Sequence, residues 1–362
     1  MKRKFNLTPW LFLAPALIYF LIMVIYPIIG SVHISFHDWN GTQFKCSDGR
    51  DIKSLQENDF CRKIPDMKYV GFENYERFFD KTPKDFNKIK KYWQKVFDPG
   101  ENRIGVPVLD QGIGLLNTLT DGKKIKWPRL SIETKITLNT LKWLIFFPLA
   151  IPIGLGLALF LNQIGWFVKL SKSLIFFPFV ISSAVIGFVF QFFYDPNGGL
   201  LSPVYEILGW NNGIIGDKDK ATYGIIAAAW YRQIGYCLII YLAGLTAVNQ
   251  EQIEAARMDG ASGWKLFRYI VLPQLWPATF VAFVVTIIGA LRTDSFDMTQ
   301  IMTEGGPGRG ASDVMSRYMF QKTLFDQDYG YGSAISVLLF MFMLIFIITF
   351  IIRMYYQDEN LR

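Results

Sequence analysis

The chain is 362 residues long, 51% hydrophobic and 19% charged, with a formal charge of +7. Its apolar residues come in blocks about as long as a bilayer core is thick, which excludes a soluble protein built around one core. The positive balance needs no nucleic-acid partner, because short basic segments on one side of a membrane and a lysine-rich external stretch account for it.

Lys2, Arg3 and Lys4 precede an apolar run from Trp10 to Ile29. It is longer than a secretory signal core and no small-residue cleavage site follows it, so it reads as an uncleaved first span. From His33 to Ile136 the chain is polar, aromatic and lysine-rich, an external insertion too long for loop charge to decide its side. The stretch Tyr69-Val70-Gly71-Phe72-Glu73-Asn74-Tyr75 stands out within it, Lys84 to Lys95 has helical charge spacing, and Pro107, Gly112 and Gly114 mark turns. Cys46 and Cys61 also fall here. An oxidising compartment would permit a disulfide between them, and two free thiols fit the sequence as well. His33 and His37 lack the cysteines or carboxylates that would complete a metal site, so they read as interfacial histidines.

Asn139-Thr140 opens the second apolar run, Leu141 to Leu161; others cover Leu174 to Phe193, Ile225 to Ala247, Pro277 to about Phe296, and Ala334 to Ile352. The sequence therefore predicts an all-α membrane protein of about six transmembrane helices. Its parts are residues 1–32, an external insertion 33–136 and a core 137–362 that contains an inside loop 248–276. With the N-terminus inside, the internal segments carry Lys2, Arg3, Lys4, Lys169, Lys172, Arg257, Lys265, Arg268, Arg353 and Arg362, against Lys218, Lys220, Arg309, Arg317 and Lys322 in short external loops. That bias predicts both termini in the cytoplasm. Asp195-Pro196-Asn197-Gly198-Gly199 and Gly305-Gly306-Pro307-Gly308-Arg309-Gly310 are turn signals. After the second of these, Ser312 is an N-cap candidate for a helix whose apolar positions Val314, Met315, Tyr318, Met319 and Phe325 suit either the outer membrane surface or packing on the spans.

The inside loop carries two helix signatures in a row. Asn249 is a plausible N-cap with Gln252 at capping-box spacing, and Gly260 supplies a left-handed stop, so a helix is predicted over about Gln250 to Asp259. A second is predicted from Ser262-Gly263 to Pro273. Glu254 and Arg257 are spaced to brace each other, and Ala255, Ala256 and Ala261 leave room for another protein's surface.

The pattern Glu254-Ala255-Ala256, Asp259-Gly260-Ala261, Phe267, Ile270 and Leu272-Pro273 resembles the EAA loop of binding-protein-dependent ABC permeases. Gly71 to Tyr75, Asn139-Thr140, Gly235-Tyr236, Leu242-Ala243-Gly244-Leu245 and Thr303-Glu304-Gly305-Gly306-Pro307 are similar to the carbohydrate-importing branch of that family. The insertion before Thr137 departs from the simplest members in being longer.

The resemblance implies a bacterial inner-membrane transport subunit and no enzyme. Its partners would be an ABC ATPase, acting as a dimer, a second homologous permease and a periplasmic solute-binding protein. Glu254, Ala255, Ala256, Asp259, Gly260 and Ala261 would form a coupling helix seated on the ATPase, whose closure on ATP drives alternating access. No cofactor is expected in this chain, ATP and Mg being bound by the ATPase; in agreement, Gly122-Lys123-Lys124 lacks the glycine spacing of a phosphate-binding loop.

A solute path needs polar groups inside the spans. Arg232, Arg292 and Asp294 are the charged candidates. Arg292 and Asp294 lie on different helix faces, so each needs a partner elsewhere, and Arg232 is expected to face Asp294 or the cavity; snorkelling is the alternative for the arginines. Gln191, Gln233, Tyr236 and Trp230 are candidates for contact with a neutral sugar. Cys237 reads as a buried apolar residue. A carbohydrate is the expected cargo; a glycerol phosphate ester, polyol or polyamine, or a ligand-sensing scaffold, fits more distantly. An intramembrane enzyme would need paired carboxylates or a nucleophile with its base, and neither is seen.

Overall fold

The computed structural model describes residues 8–41, 44–46, 63–80, 82–96, 130–162, 165–308 and 310–359. Among these described residues five helices are long and apolar enough to cross a membrane, namely Leu13–Ser35, Ile132–Phe160, Ala221–Thr246, Trp276–Met302 and Tyr329–Thr349. The remaining apolar segment is a bent pair, Trp166–Val180 and Ser183–Phe193, whose axes turn by 102°. In chain order the five are the first, second, fourth, fifth and sixth spans, and the bent pair is the third. The apolar run Leu174 to Phe193, read as one span, is therefore bent within: Pro178 lacks a backbone donor, and Ile181 and Ser182 are extended, at ψ 143° and 139°.

The described residues fall into two compact units, one of residues up to Asp80 with Tyr318–Met341, the other of Lys81–Arg317 with Phe342–Arg362. In the first unit, the conspicuous Tyr69 to Tyr75 stretch closes off the end of the first span. Strands β1 (His37–Asp38) and β4 (Lys68–Tyr69) pair antiparallel, as do β2 (Phe44–Cys46) and β3 (Lys63–Pro65). Gly71 turns the chain at φ +60° into helix Glu73–Phe79, where buried Asn74 donates to the Ser35 and His37 carbonyls at 2.9 and 3.1 Å. Those two carbonyls lie at and just past the end of helix Tyr26–Ser35, where backbone oxygens lack helical partners. Arg77 pairs with Asp328 at 2.7 Å and lies over the Tyr331 ring, 4.2 Å from its centre. The His33 and His37 ring centres are 4.4 Å apart, with His37 Nδ1 2.8 Å from the His33 carbonyl. Cys61 lies outside the described residues, and with it the choice between a disulfide to Cys46 and two free thiols.

The second unit is organised around the fourth span, which packs on the second, third and fifth. Ile151 and Ala158 of the second span and Ala282 of the fifth meet Cys237, Leu238, Tyr241 and Leu245 of the fourth in one core cluster. Cys237 is a buried free thiol, its burial as expected. Two glycines set the spacing: a Cβ on Gly154 would collide with Cys237, and one on Gly235 with the Ile175 carbonyl. Such close approach is how helices gain dispersion contacts where lipid offers no hydrophobic drive.

The second span starts at Ile132, ahead of the apolar run, because Ser131 caps it by accepting the Thr134 N–H. Buried Asp85, on helix Thr82–Val96, accepts the Ser131 N–H at 2.7 Å, the Thr134 hydroxyl at 3.0 Å and the Lys88 ammonium at 2.8 Å. Burial pushes the Asp85 carboxyl up, but Lys88 and the Ser131 and Thr134 bonds outweigh it and hold it at about 2. A carboxylate depressed in the folded state stabilises it fully above its free value of about 4 and stops doing so as pH falls through the folded value. Between about pH 4 and 2, pepsin should therefore cut progressively faster within residues 82–96 of the wild type, relative to Asp85→Asn. The effect should be on the order of 1–2 kcal/mol, because half-exposed Lys88 is partly screened. A constant ratio of cutting rates would show that Asp85 does not anchor this helix.

Candidate functional site

The loop after the fourth span folds as a firmly ended helix, Gln250–Met258. The Asn249 side chain accepts the Glu251 and Gln252 N–H groups at 2.8 and 3.4 Å. At the other end Gly260, at φ +84°, lets its own N–H reach the Arg257 carbonyl and the Ala261 N–H reach Ala256, the paired bonds of a Schellman stop. Ile253 and Phe267 pack against the buried cluster of Leu245, Val248, Val271 and Leu275. Glu254, Ala255, Arg257, Met258, Asp259 and Gly260 face outward, with Met258 88% exposed, while Ala256 and Ala261 are half-buried.

Three expectations for this loop change. The Asn249 N–H is taken by Gln274 and not by Gln252, as capping-box spacing suggested. No ion pair joins Glu254 to Arg257 among the described residues; both side chains are exposed, where such a pair is worth little. The second helix does not stop at Pro273. It runs as Gly263–Leu266, a wide five-residue turn Phe267–Val271, and Leu272–Gln274, with Leu272 helical at φ −61° and ψ −40°. The wide turn restarts the helix just before Pro273, leaving proline in the first turn, where a missing N–H costs nothing. The chain breaks at Leu275, at ψ 0°, and Trp276 begins the fifth span.

Inside the spans, Arg232 donates to Asp294 at 2.6 Å, as the sequence suggested. It also reaches the Ile181 carbonyl at 3.4 Å and lies 4.9 Å from the centre of the Phe179 ring. The third span is broken at Ile181 and Ser182, and the fifth at Arg292 (φ −128°, ψ −76°), so Arg232 braces both breaks. Just beyond them Ser183 donates to Asp297. Gln233 is buried and donates to Thr286 at 2.6 Å, and the Trp230 indole donates to the Phe146 carbonyl at 3.1 Å. Gln191 and Tyr236 are half-buried, with the Tyr236 ring against Phe179, and Arg292 is exposed.

Sequence reasoning missed one polar assembly outside this set. Asn139 donates to the carbonyls of Gly310, Ala311 and Asp313 at 3.2, 2.9 and 3.1 Å, and Thr140 accepts the Met315 N–H. Arg317 is fixed on Asp313 through two bonds of 2.7 and 2.9 Å, and Gly305 lies so close to the guanidinium that a Cβ would clash. Ser312 is buried and shares a 2.7 Å hydrogen bond with Thr303, so it is no exposed cap, and Val314 and Met315 are buried too. Of the two placements open for the segment after the glycine turn, its start takes the packed one; Phe325, further on, is 66% exposed.

Residues 150–361 match the family model of the binding-protein-dependent transport system inner membrane component. A probable ABC transporter permease protein of Pyrococcus horikoshii is 30% identical over 97% of this chain and 96% of its own length. The trehalose/maltose transport system permease protein of Thermococcus litoralis is 27% identical, with 94% and 92% covered. The α-glucoside transport system permease protein of Rhizobium meliloti is also 27% identical, with 92% and 78% covered. Among solved structures, a bacterial ABC transporter involved in import of the acidic polysaccharide alginate shares the fold at a TM-score of 0.62 and 17% identity, covering 95% of this chain and 93% of that one.

Removing one partner of a buried ion pair strands the other charge, whereas removing both does not. Arg232→Gln should therefore destabilise the purified protein in detergent by on the order of 3 kcal/mol. Arg232→Gln/Asp294→Asn should recover at least half of that in thermal unfolding. A double variant no better than the single one would show that the pair contributes nothing as a pair.

Proposed function

The chain belongs to the binding-protein-dependent transport system inner membrane components, and on that premise we propose that it is the permease subunit of an ATP-driven importer whose cargo is a carbohydrate. It is a multi-pass inner-membrane protein and a transport component. The observation that carries the mechanism is the outward-facing helix Gln250–Met258, capped at both ends and tied by Ile253 to the bases of the fourth and fifth spans. An ATPase subunit, working as a dimer, seats on the surface of Glu254, Ala255, Ala256, Asp259, Gly260 and Ala261. ATP and Mg are bound and hydrolysed there, and the movement of its groove reaches the spans through this helix. A second homologous permease completes the membrane pathway, and a periplasmic binding protein delivers the solute. Both termini lie in the cytoplasm, which places the helix on the side where ATP is found.

The carbohydrate assignment draws on relatives that transport trehalose, maltose and α-glucosides. Within the candidate path, Arg232, Asp294 and Gln233 are engaged between spans and serve the wall. Gln191, Tyr236 and Arg292 carry no side-chain hydrogen bond among the described residues and are the groups left to meet a solute. Exposed Arg292 also supports a second reading, a phosphate ester, since a guanidinium suits a phosphate through paired bonds. Calorimetry of the partner binding protein against disaccharides and glycerol phosphates separates the two.

The coupling role is tested in proteoliposomes holding the whole importer. Glu254→Arg reverses a charge on the seating surface, and Gly260→Trp forces a side chain into a left-handed position. Both variants should insert normally and lose uptake about tenfold or more, while ATP hydrolysis persists. Normal uptake in both would sink the assignment.

A further inference from the structure

In a capping box, the residue three positions into the helix reaches back to the N-cap N–H. Here Gln252 does not. The Asn249 N–H instead donates to Oε1 of Gln274 at 2.8 Å, from the far end of the next helical segment. The same Gln274 amide donates to Oε1 of Gln252 at 3.0 Å and to the Ile270 carbonyl at 3.2 Å. The acceptor of this side chain closes the cap of another element, one donor ties it to Gln252 in that element, and the other anchors it to its own segment at Ile270.

By the covalent route, the path from helix Gln250–Met258 to the fifth span passes Gly260 at φ +84°, extended Ser262 (ψ 158°) and Gly263 at φ +52°. Glycines in such conformations make a soft connection, and nothing lies within 4 Å of where a Cβ would sit on either one. A push on the helix would be absorbed there. Gln274 stands two residues before Trp276, the first residue of the fifth span, and grips the N-cap directly.

We infer that Gln274 is a positioning residue that, alongside the Ile253 packing, transmits movement of helix Gln250–Met258 to the fifth span, bypassing the glycine elbow. This rests on the coupling role proposed above. Gln274 acts by making the helix and the base of the fifth span one body.

The test uses the complete importer in proteoliposomes, measuring solute taken up per ATP hydrolysed, with co-purification of the ATPase subunit as the check on assembly. Gln274→Ala should keep assembly and ATP hydrolysis while uptake per ATP falls about tenfold. Gln274→Glu retains an acceptor for Asn249 but loses the donor to Gln252, and Gln252→Lys loses the acceptor, so each alone should lower the ratio. The pair Gln252→Lys/Gln274→Glu restores a bridge of opposite charges and should regain most of it. An unchanged ratio in Gln274→Ala overturns the inference. So does an equal loss of assembly, hydrolysis and uptake in Gln274→Ala that the charge pair fails to regain, because that describes only a weakened fold. If Glu254→Arg and Gly260→Trp uncouple the importer and Gln274→Ala does not, the strap falls alone; if those two are normal, the coupling role itself falls.

Discussion

Hydrocarbon offers no hydrogen bonds, so every polar group held within the bilayer must find its partner in the protein. The unit around the fourth span is built on that constraint. Two neighbouring spans lose helical geometry at Ile181–Ser182 and at Arg292, and each loss frees backbone groups. Arg232 stands between them, taking the freed Ile181 carbonyl at one break and the Asp294 carboxylate beside the other. Ser183 and Asp297 add a second tie across the same two spans. Because the bends and the charges satisfy one another, neither is a defect to be tolerated separately. The fourth span stays unbroken and carries the guanidinium that braces the breaks of its neighbours.

Much of the architecture was legible from the chain alone, because a span announces itself by length and apolarity, signals that need no tertiary information. Span ends were less legible. Asn139 and Thr140, which open the second apolar run, and Thr222 are polar, yet all three are buried, with Thr222 donating to Asn139 at 3.3 Å. Their partners lie in a loop after residue 303, a separation no local pattern reveals. The Asp313–Arg317 pair had a visible signal, opposite charges at helical spacing, but its burial depends on Gly305 folding over it.

The candidate site divides in the same way. Asn249 and Gly260 were readable because caps are local chemistry, and the structure uses both as read. Arg232 and Asp294 were readable as a pair because two opposite charges in an apolar setting have few other choices. Gln233 and Trp230 looked available to a solute, yet each spends its donor on a neighbouring span. A polar side chain in a sequence shows capacity for a bond and not whether the fold has already used it.

The wide turn at Phe267–Val271 has a consequence for phase. A five-residue turn holds one residue more than an α-helix needs, so the residues after it are rotated by about 100° against those before it. That rotation lets Val271 and Leu275 face the core while Trp264 remains 72% exposed. A chain one residue shorter here would form a smoother helix and a worse protein. Its exposed face would arrive aimed a quarter-turn away from whatever it was made to meet.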